Sequence, residues 1–233
     1  MKTMSLSLVI ANKNYSSWSM RPWVLLTAFD IAFTEIMVKF HSADWSRELP
    51  RLSPPLMVPV LWDGEVGDEK SICVWDSAAI IETIAESYPE HAVWPRDKAA
   101  RANARAIAAE MHAGFRALRS SMPMNIRARH AGLGMNAETQ KNIMRIETVW
   151  REARAKFGRD GAFLFGEFSA ADAMYAPVVM RFGTYKPNLS ADTITYCDAV
   201  RAHPAVAAWV KAANAETEFV EEDEPYAVAQ KKE

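Results

Sequence analysis

The pattern of apolar residues changes character near residue 90. Up to that point, runs that fit strands alternate with runs that fit helices, in the order β-α-β-α-β-β-α. The proline-bracketed stretch "PEHAVWPRD" (89–97) follows, and almost every patterned segment after it has helical spacing. This pattern predicts an α/β domain over residues 1–88 and an all-α domain over residues 96–233.

The individual elements follow from local patterns. Strands are predicted over 5–11, 33–40, 57–64 and 72–76, with helices over 20–31 and 77–88 and a short helix within the loop 41–55. Proline is tolerated in the first turn of a helix, so the first helix is expected to begin near Pro22, with Ser19 as its N-cap. Later helices are predicted over 97–121, 137–157, 169–185 and 203–216, and the polar tail from 221 is expected to be loosely ordered.

The charge and hydropathy of the chain argue against two classes of partner, nucleic acids and membranes. Lys and Arg number 27, Asp and Glu 29, and the formal net charge is −2, which argues against a nucleic-acid partner. We interpret one local group of arginines as solvated helix faces rather than a site for a polyanion: Arg116, Arg119, Arg127 and Arg129. No apolar run is long enough to span a membrane, and the short N-terminal one is better explained as a strand than as a signal peptide.

The cysteines and histidines offer no sign of a disulfide framework or a metal site. Cys73 and Cys197 are far apart and belong to no C-x-x-C motif, which fits a reducing cytoplasm. The chain contains neither H-E-x-x-H nor a zinc-type spacing of Cys and His. We therefore expect a cytoplasmic protein without a metal.

Val58-Pro59 lies inside an apolar, strand-like run. Proline cannot donate to a strand ladder, and a cis peptide bond would turn the backbone outward. Val58 would then present free N–H and C=O groups to an extended peptide ligand. The alternative is an edge strand with a trans proline.

Asp76-Ser77 stands where a strand ends and a helix begins. Amides at a helix N-terminus attract an anion, a serine hydroxyl adds a donor, and an aspartate can hold an ammonium group. The pair therefore suits the two charges of an α-amino acid group. The alternative is N-capping by either residue.

The turn "NKNYSSWSMRPW" (12–23) places two hydroxyls at the start of the first helix. A serine hydroxyl beside a helix N-terminus can donate to a thiolate and so lower the pKa of the thiol. Ser16 and Ser17 are the candidates. Capping of the helix is the alternative role for either one.

In this order, the motifs resemble the glutathione transferase family over nearly the whole chain. "SSWSMRPW" is similar to the S-S-C-x-x-R turn of its zeta class, and "MVPVLWDG" with "VWDSAAIIETIAESYP" is similar to the family's V-P-x-L and acidic-S-x-A-I stretches. "LFGEFSAADAMYAPVV" resembles its G-x-x-[ST]-x-A-D helix start, in which Ser169 and Asp172 form a capping box with a role in folding.

The resemblance implies a thioredoxin-like N-terminal domain followed by an all-helical one, with glutathione as co-substrate. It implies that Ser16 or Ser17 stabilises the glutathione thiolate, that Val58 pairs with the cysteinyl backbone before a cis Pro59, and that Asp76 and Ser77 hold the γ-glutamyl end. Arg21 matches the arginine of the zeta-like turn, either as a ligand contact or as an internal pairing. A homodimer is also implied.

Two departures from the family pattern bear on function. Trp18 stands where the zeta class has cysteine, which argues against zeta-type isomerase chemistry. Leu56 and Met57 are apolar where the family often has polar residues that help to hold glutathione. The glycyl carboxylate then needs another partner, for which His41, Arg47 and Arg51 are candidates.

A pocket for the second substrate is expected between the domains. It would draw on Trp18 and on the helix that carries Met111, His112 and Phe115, although interior packing is the alternative for each side chain. The predicted activity is glutathione transfer to a small electrophile. The alternatives are a glutathione-dependent cis-trans isomerase and a non-catalytic binding protein with the same fold.

Overall fold

A four-stranded mixed sheet forms the centre of the N-terminal half. The computed structural model describes residues 6–159 and 161–227. The strands are Leu6–Ile10 (β1), Phe33–Met37 (β2), Val60–Asp63 (β3) and Ile72–Trp75 (β4), in the spatial order β2-β1-β3-β4. β1 pairs with β2 in parallel, whereas the β1–β3 and β3–β4 pairs are antiparallel.

Alternating side chains of the sheet bury two different faces. The helices of this half are Ser17–Ala28 (α1), Ala43–Leu52 (α2) and Ser77–Ser87 (α3). Leu8 and Ile10 of β1 belong to the main core with α1 and α3. Val9, between them, packs in a smaller cluster with Trp62 of β3 and Leu52 of α2. This period-two alternation is the pattern expected of a sheet covered on both faces.

The C-terminal half is helical over the part of the chain that the structure describes. Its helices are Lys98–Ala113 (α4), Arg116–Ser121 (α5), Ala137–Phe157 (α6), Ala170–Tyr185 (α7), Ala191–Ala202 (α8) and Pro204–Ala215 (α9), with a 3-10 turn at Glu221–Asp223. Nearly every residue of α7 is buried, and α7 packs against both α1 and α4. No helix among these residues is long and apolar enough to cross a membrane.

The fold class predicted from the sequence is confirmed, because an α/β half with a mixed sheet precedes a helical half. Cys73 and Cys197 are both free. The predicted bounds of the two domains, 1–88 and 96–233, stay a prediction. Of the tail expected to be loosely ordered, residues 221–227 are described, and residues 228–233 lie outside the described part of the chain.

The predicted start of the first helix is wrong. The helix begins at Ser17, and Ser16 is the N-cap, with its Oγ accepting a hydrogen bond from the Ser19 amide at 3.3 Å. The Ser19 hydroxyl instead accepts from the Ala11 amide. Pro22 therefore lies in the second turn, where its missing N–H removes one backbone bond, the one to the carbonyl of Trp18.

The single helix predicted over 97–121 is two helices, separated at Gly114 and Phe115. Phe115 has a φ of 56°, and a Cβ on Gly114 would come within 2.6 Å of the Glu110 carbonyl oxygen.

A second difference is α8, which the sequence pattern did not predict. Its β-branched residues have low helix propensity, and the burial of Tyr196 and Val200 compensates for it.

Candidate functional site

A cavity of about 690 Å³ lies between the two halves and is called the interdomain cavity below. Its walls come from the start of α1, the loop before β3, the α4–α5 region, α7 and the 3-10 turn near the C-terminus. The lining residues that bear on function are Ser16, Ser17, Trp18, Val58, His112, Arg116, Arg119, Arg181 and Asp223. Five of the residues predicted for the site are therefore brought together here: Ser16, Ser17, Trp18, Val58 and His112.

Ser16 and Ser17 differ in how their hydroxyls are used. Ser16 is buried, and its hydroxyl donates to the Ser19 Oγ at 2.7 Å while it caps α1. Ser17 is half-buried, and its Oγ accepts from the Arg181 Nη2 at 3.4 Å. An oxygen that only accepts keeps its own proton for a ligand. Ser17 is therefore the better placed of the two to donate to a thiolate.

Replacing Ser16 should reduce stability rather than chemistry. We expect Ser16→Ala to lower the free energy of unfolding by about 1 kcal/mol, because the first turn of α1 loses its cap. Urea unfolding measures this change. Ser16→Asp, which keeps a capping oxygen, should recover most of the loss. An equal loss in both variants would contradict the capping role.

The peptide bond between Val58 and Pro59 is cis, as predicted. Val58 lines the interdomain cavity, and no hydrogen bond between described residues uses its backbone N–H or C=O. The two preceding residues, Leu56 and Met57, are 58% and 49% exposed. The loop therefore offers unpaired backbone groups beside an apolar surface.

Asp76 and Ser77 lie at the start of α3 but do not line the interdomain cavity. Asp76 caps the helix, with its Oδ1 accepting from the Ala78 amide at 2.8 Å, and its backbone has a φ of 73°. Its Oδ2 lies 3.3 Å from the Nε2 of His112, which does line the cavity. His112, a residue of α4 in the C-terminal half, thus contacts the predicted γ-glutamyl site.

Arg21 is an internal residue in this structure, which favours internal pairing over direct ligand contact among its two predicted roles. Its side chain is 2% exposed, and its Nη1 donates to the Ser77 Oγ at 3.2 Å. Its guanidinium also stacks on the Trp18 ring, 4.3 Å from the centroid. Burial, together with the charges of Arg181 and Arg119, lowers the pKa of Arg21 to about 9, so the residue stays charged at neutral pH. Arg21 positions Ser77 and Trp18.

For Met111 and Phe115 the structure favours the alternative of interior packing, and a role for His41 in ligand contact stays a prediction. Met111 and Phe115 lie in the main hydrophobic core, because α4 packs this side onto α7 and the chain turns inward at Phe115. His41 is exposed and pairs with Glu222 at 3.3 Å, outside the cavity lining. The other candidates for the glycyl carboxylate, Arg47 and Arg51, make exposed contacts with acidic residues of α2.

The sequence interpretation missed a group of arginines in the cavity wall. Arg116 and Arg119 line the cavity together with Arg181; Arg116 is exposed, as interpreted from the sequence, whereas Arg119 is half-buried. Arg119 lies 4.7 Å from the centroid of the Trp18 ring, and Arg181 is 4% exposed. Burial first, and then the charge of Arg119, lower the pKa of Arg181 to about 10. A signal was present in the sequence, since Arg181 interrupts the apolar run "APVVMRF".

Residues 216–224, called the C-terminal segment, bind across the turn that leads into α1. The Glu216 carboxylate accepts from the amides of Lys13 and Asn14 at 2.6 and 3.0 Å. The Tyr15 hydroxyl donates to the Glu224 carboxylate at 2.7 Å, and Arg127 donates to carbonyls of the segment. The segment thereby fixes the position of the serine turn and places Asp223 at the cavity.

The acidic, cysteine and histidine side chains do not form a metal centre within residues 6–159 and 161–227. No group of three or more of them there is arranged to hold an ion.

Family comparisons account for both halves of the chain. The family model described as "Glutathione S-transferase, N-terminal domain" matches residues 15–87, and the one described as "Glutathione S-transferase, C-terminal domain" matches residues 99–212. The N-terminal match spans the serine turn, Val58-Pro59 and Asp76-Ser77. No curated protein sequence matches the chain.

Solved structures share the fold at low sequence identity. A glutathione transferase homolog from Burkholderia gl BGR1 with bound glutathione is 21% identical, with a TM-score of 0.66 over 91% of this chain and 100% of its own. Glutathione transferase Omega 2S from Trametes versicolor, in complex with 2,4-dihydroxybenzophenone, is 20% identical, with a TM-score of 0.66 over 89% and 94%. Ure2p in complex with glutathione is 16% identical, with a TM-score of 0.64 over 91% and 96%.

Proposed function

Because this chain belongs to the glutathione S-transferase family, we propose that it binds glutathione along the N-terminal half and transfers it to a small electrophile. In this proposal the Ser17 hydroxyl donates to the glutathione sulfur and stabilises the thiolate. The thiol proton passes to solvent, and the thiolate attacks the electrophile in the interdomain cavity. The new carbon–sulfur bond forms as a leaving group departs with its electron pair, or as an activated double bond opens and takes up a proton from water. A cytoplasmic location belongs to the same proposal.

One observation carries this proposal: Ser17, the first residue of α1, lines the same cavity as the unpaired backbone of Val58. An extended peptide that pairs with Val58 would place its central side chain near the start of α1. There the helix N-terminus contributes partial positive charge, and the Arg181 guanidinium contributes a full one. Both favour a thiolate over a thiol, whose usual pKa is about 8.5.

The γ-glutamyl group would bind at the start of α3. The helix N-terminus and the Ser77 hydroxyl suit its carboxylate, and the Asp76 carboxylate suits its ammonium group. Arg21 supports this arrangement, because it holds the Ser77 hydroxyl from inside the protein at 3.2 Å. The contact between His112 and Asp76 would be shared with the ammonium group or replaced by it.

A thermal-shift titration with reduced glutathione tests the binding site. At about 100 times its dissociation constant, the ligand should add roughly 2.7 kcal/mol to the free energy of unfolding. We expect a saturable shift in the wild type and little or none in the Asp76→Ala, Ser77→Ala double variant. Asp97→Ala is the matched control, because Asp97 also caps a helix, α4, through the Ala100 amide, but at a helix start for which no contact with glutathione is proposed.

The control separates loss of binding from loss of a helix cap. Asp97→Ala should lower the starting stability and keep the full shift with glutathione. A shift that survives in the Asp76→Ala, Ser77→Ala variant would exclude these residues from the site. No shift in the wild type at millimolar glutathione would contradict the proposal as a whole.

A second candidate function is glutathione binding without catalysis. The exposed apolar side chains of Leu56 and Met57 favour it, because they leave the loop before Val58 with few polar contacts for glutathione. Binding of glutathione without turnover of any electrophile would support this candidate. Turnover that consumes no glutathione would instead indicate the isomerase, against which the indole of Trp18 argues.

We propose a homodimer on the basis of an apolar edge. Ile72 and Trp75 lie on the edge strand β4 and are exposed, although each is a large apolar side chain. Such side chains on an unpaired edge favour association. Light scattering coupled to size-exclusion chromatography should give twice the chain mass of 26.1 kDa. A monomer at all concentrations would contradict this part of the proposal.

A further inference from the structure

Resting on the proposed function, we propose that the interdomain cavity takes an aromatic electrophile that carries a carboxylate, and that Arg116 and Arg119 bind this carboxylate with support from the charge of Arg181. The electrophile's ring would lie against the apolar part of the cavity wall. The inference concerns the second substrate and not glutathione itself.

The arginines of the cavity carry positive charge that the protein neutralises only in part. Arg116, Arg119 and Arg181 all line the cavity. Elsewhere on this protein arginines pair with carboxylates, as in Arg145 with Glu110 at 2.7 Å and Arg105 with Glu82 at 3.0 Å. Within the described residues, no salt bridge joins any of the three to an acidic side chain.

Arg181 and Arg119 are held in place by neutral groups. The Nε of Arg181 donates to the Met122 carbonyl at 2.9 Å and its Nη1 to the Pro177 carbonyl at 3.2 Å. Arg119 donates through its Nη1 to the carbonyls of His112 and Gly114 at 3.3 and 3.5 Å. These contacts fix the guanidinium groups but leave their positive charge in place. Buried positive charge that is only partly balanced is costly, so an anionic ligand would be favoured.

Among the described side chains that line the cavity, Asp223 is the one acidic residue, and its single negative charge balances only part of the charge of the three arginines. It makes no salt bridge with an arginine in the described part of the chain. Burial raises the pKa of its carboxyl to about 6 against the lowering effect of the Arg181 charge, so the carboxylate is still mostly ionised at neutral pH. The net charge of the cavity wall is therefore positive, and an arginine fork is well suited to a carboxylate.

The rest of the wall suits an aromatic ring. Phe40 and Trp45 line the cavity with their ring centroids 5.0 Å apart, and Pro123 and Met124 line it as well. Such a surface accommodates a flat apolar group. An aryl carboxylate combines this group with the anion that the arginines favour, and a neutral aromatic compound uses only half of the site.

Binding of 3-nitrobenzoate, measured by isothermal titration calorimetry against its neutral methyl ester, tests the inference without any chemical step. We expect the acid to bind at least 10-fold more tightly than the ester, as about 1.4 kcal/mol from a charge-assisted contact would give. Arg119→Gln and Arg116→Gln should each weaken the acid several-fold and leave the ester nearly unchanged. Arg151→Gln, an exposed arginine of α6, is the matched control and should change neither.

Competition with glutathione distinguishes the two sites. We expect 3-nitrobenzoate to bind equally well in the presence of saturating glutathione. Displacement by glutathione would assign the arginines to the glutathione site and overturn the inference, and so would equal affinities for acid and ester. If glutathione does not bind at all, the proposed function fails, while the comparison of acid with ester still decides whether the cavity selects an aryl carboxylate.

Discussion

Replacing Ser17 with alanine is expected to lower kcat/KM for glutathione conjugation about 100-fold, the loss typical of removing one donor from a developing or stabilised anion. The Ser17 hydroxyl accepts from Arg181 and so keeps its proton for the glutathione sulfur. Without it, the bound thiol would have a higher pKa and a smaller thiolate fraction near neutral pH. The rate should therefore recover partly as the pH is raised.

Steady-state kinetics with 1-chloro-2,4-dinitrobenzene over a pH series measures this effect. Ser120→Ala is the matched control, because Ser120 also lines the cavity with an exposed hydroxyl but has no proposed role in the chemistry. It should keep the wild-type rate. A wild-type kcat/KM in Ser17→Ala would show that Ser17 does not stabilise the thiolate, and Ser16 would then be the remaining candidate.

The largest expected loss of stability follows from Asp172→Ala. Asp172 is fully buried and accepts four hydrogen bonds, from the Leu164 amide, the Ser169 amide and hydroxyl, and the Tyr196 hydroxyl. Its removal leaves buried donors without partners, each of which costs about 1–3 kcal/mol. We expect the free energy of unfolding to fall by about 4 kcal/mol, since some donors will reach water.

Urea unfolding followed by circular dichroism measures this loss. The matched control is Asp192→Ala, since Asp192 is an exposed aspartate in the first turn of α8 and should change the free energy of unfolding by less than about 1 kcal/mol. Asp172→Asn should fall between the two, because an amide can accept only some of the four bonds. Equal effects of the two alanine variants would contradict the structural role of the capping box.

The features that were predictable from the sequence depend on residues close together in the chain. The capping box of Ser169 and Asp172 spans three residues, and Asp76 caps its helix through an amide two residues away. The cis bond before Pro59 reflects the conflict between a proline and an apolar strand. Because these patterns involve residues that are near one another in the sequence, they can be predicted without knowing how the chain packs.

The features that were missed depend on packing between distant parts of the chain. Arg181 meets Ser17 across 164 positions, and Glu216 reaches the Lys13 amide across 203. Periodicity carries no information on such pairs. The same reason explains α8, whose helix is stabilised by the burial of Tyr196 against the core rather than by its own propensity.

The pKa of the glutathione thiol in the bound state tests the central claim most directly. Ultraviolet absorbance of the thiolate, followed over a pH titration of the complex, measures it. We expect a value about 2 units below the 8.5 of a free thiol in the wild type, and a smaller depression in Ser17→Ala. A bound thiol that titrates like free glutathione would contradict the claim that the turn at Ser17 stabilises a thiolate.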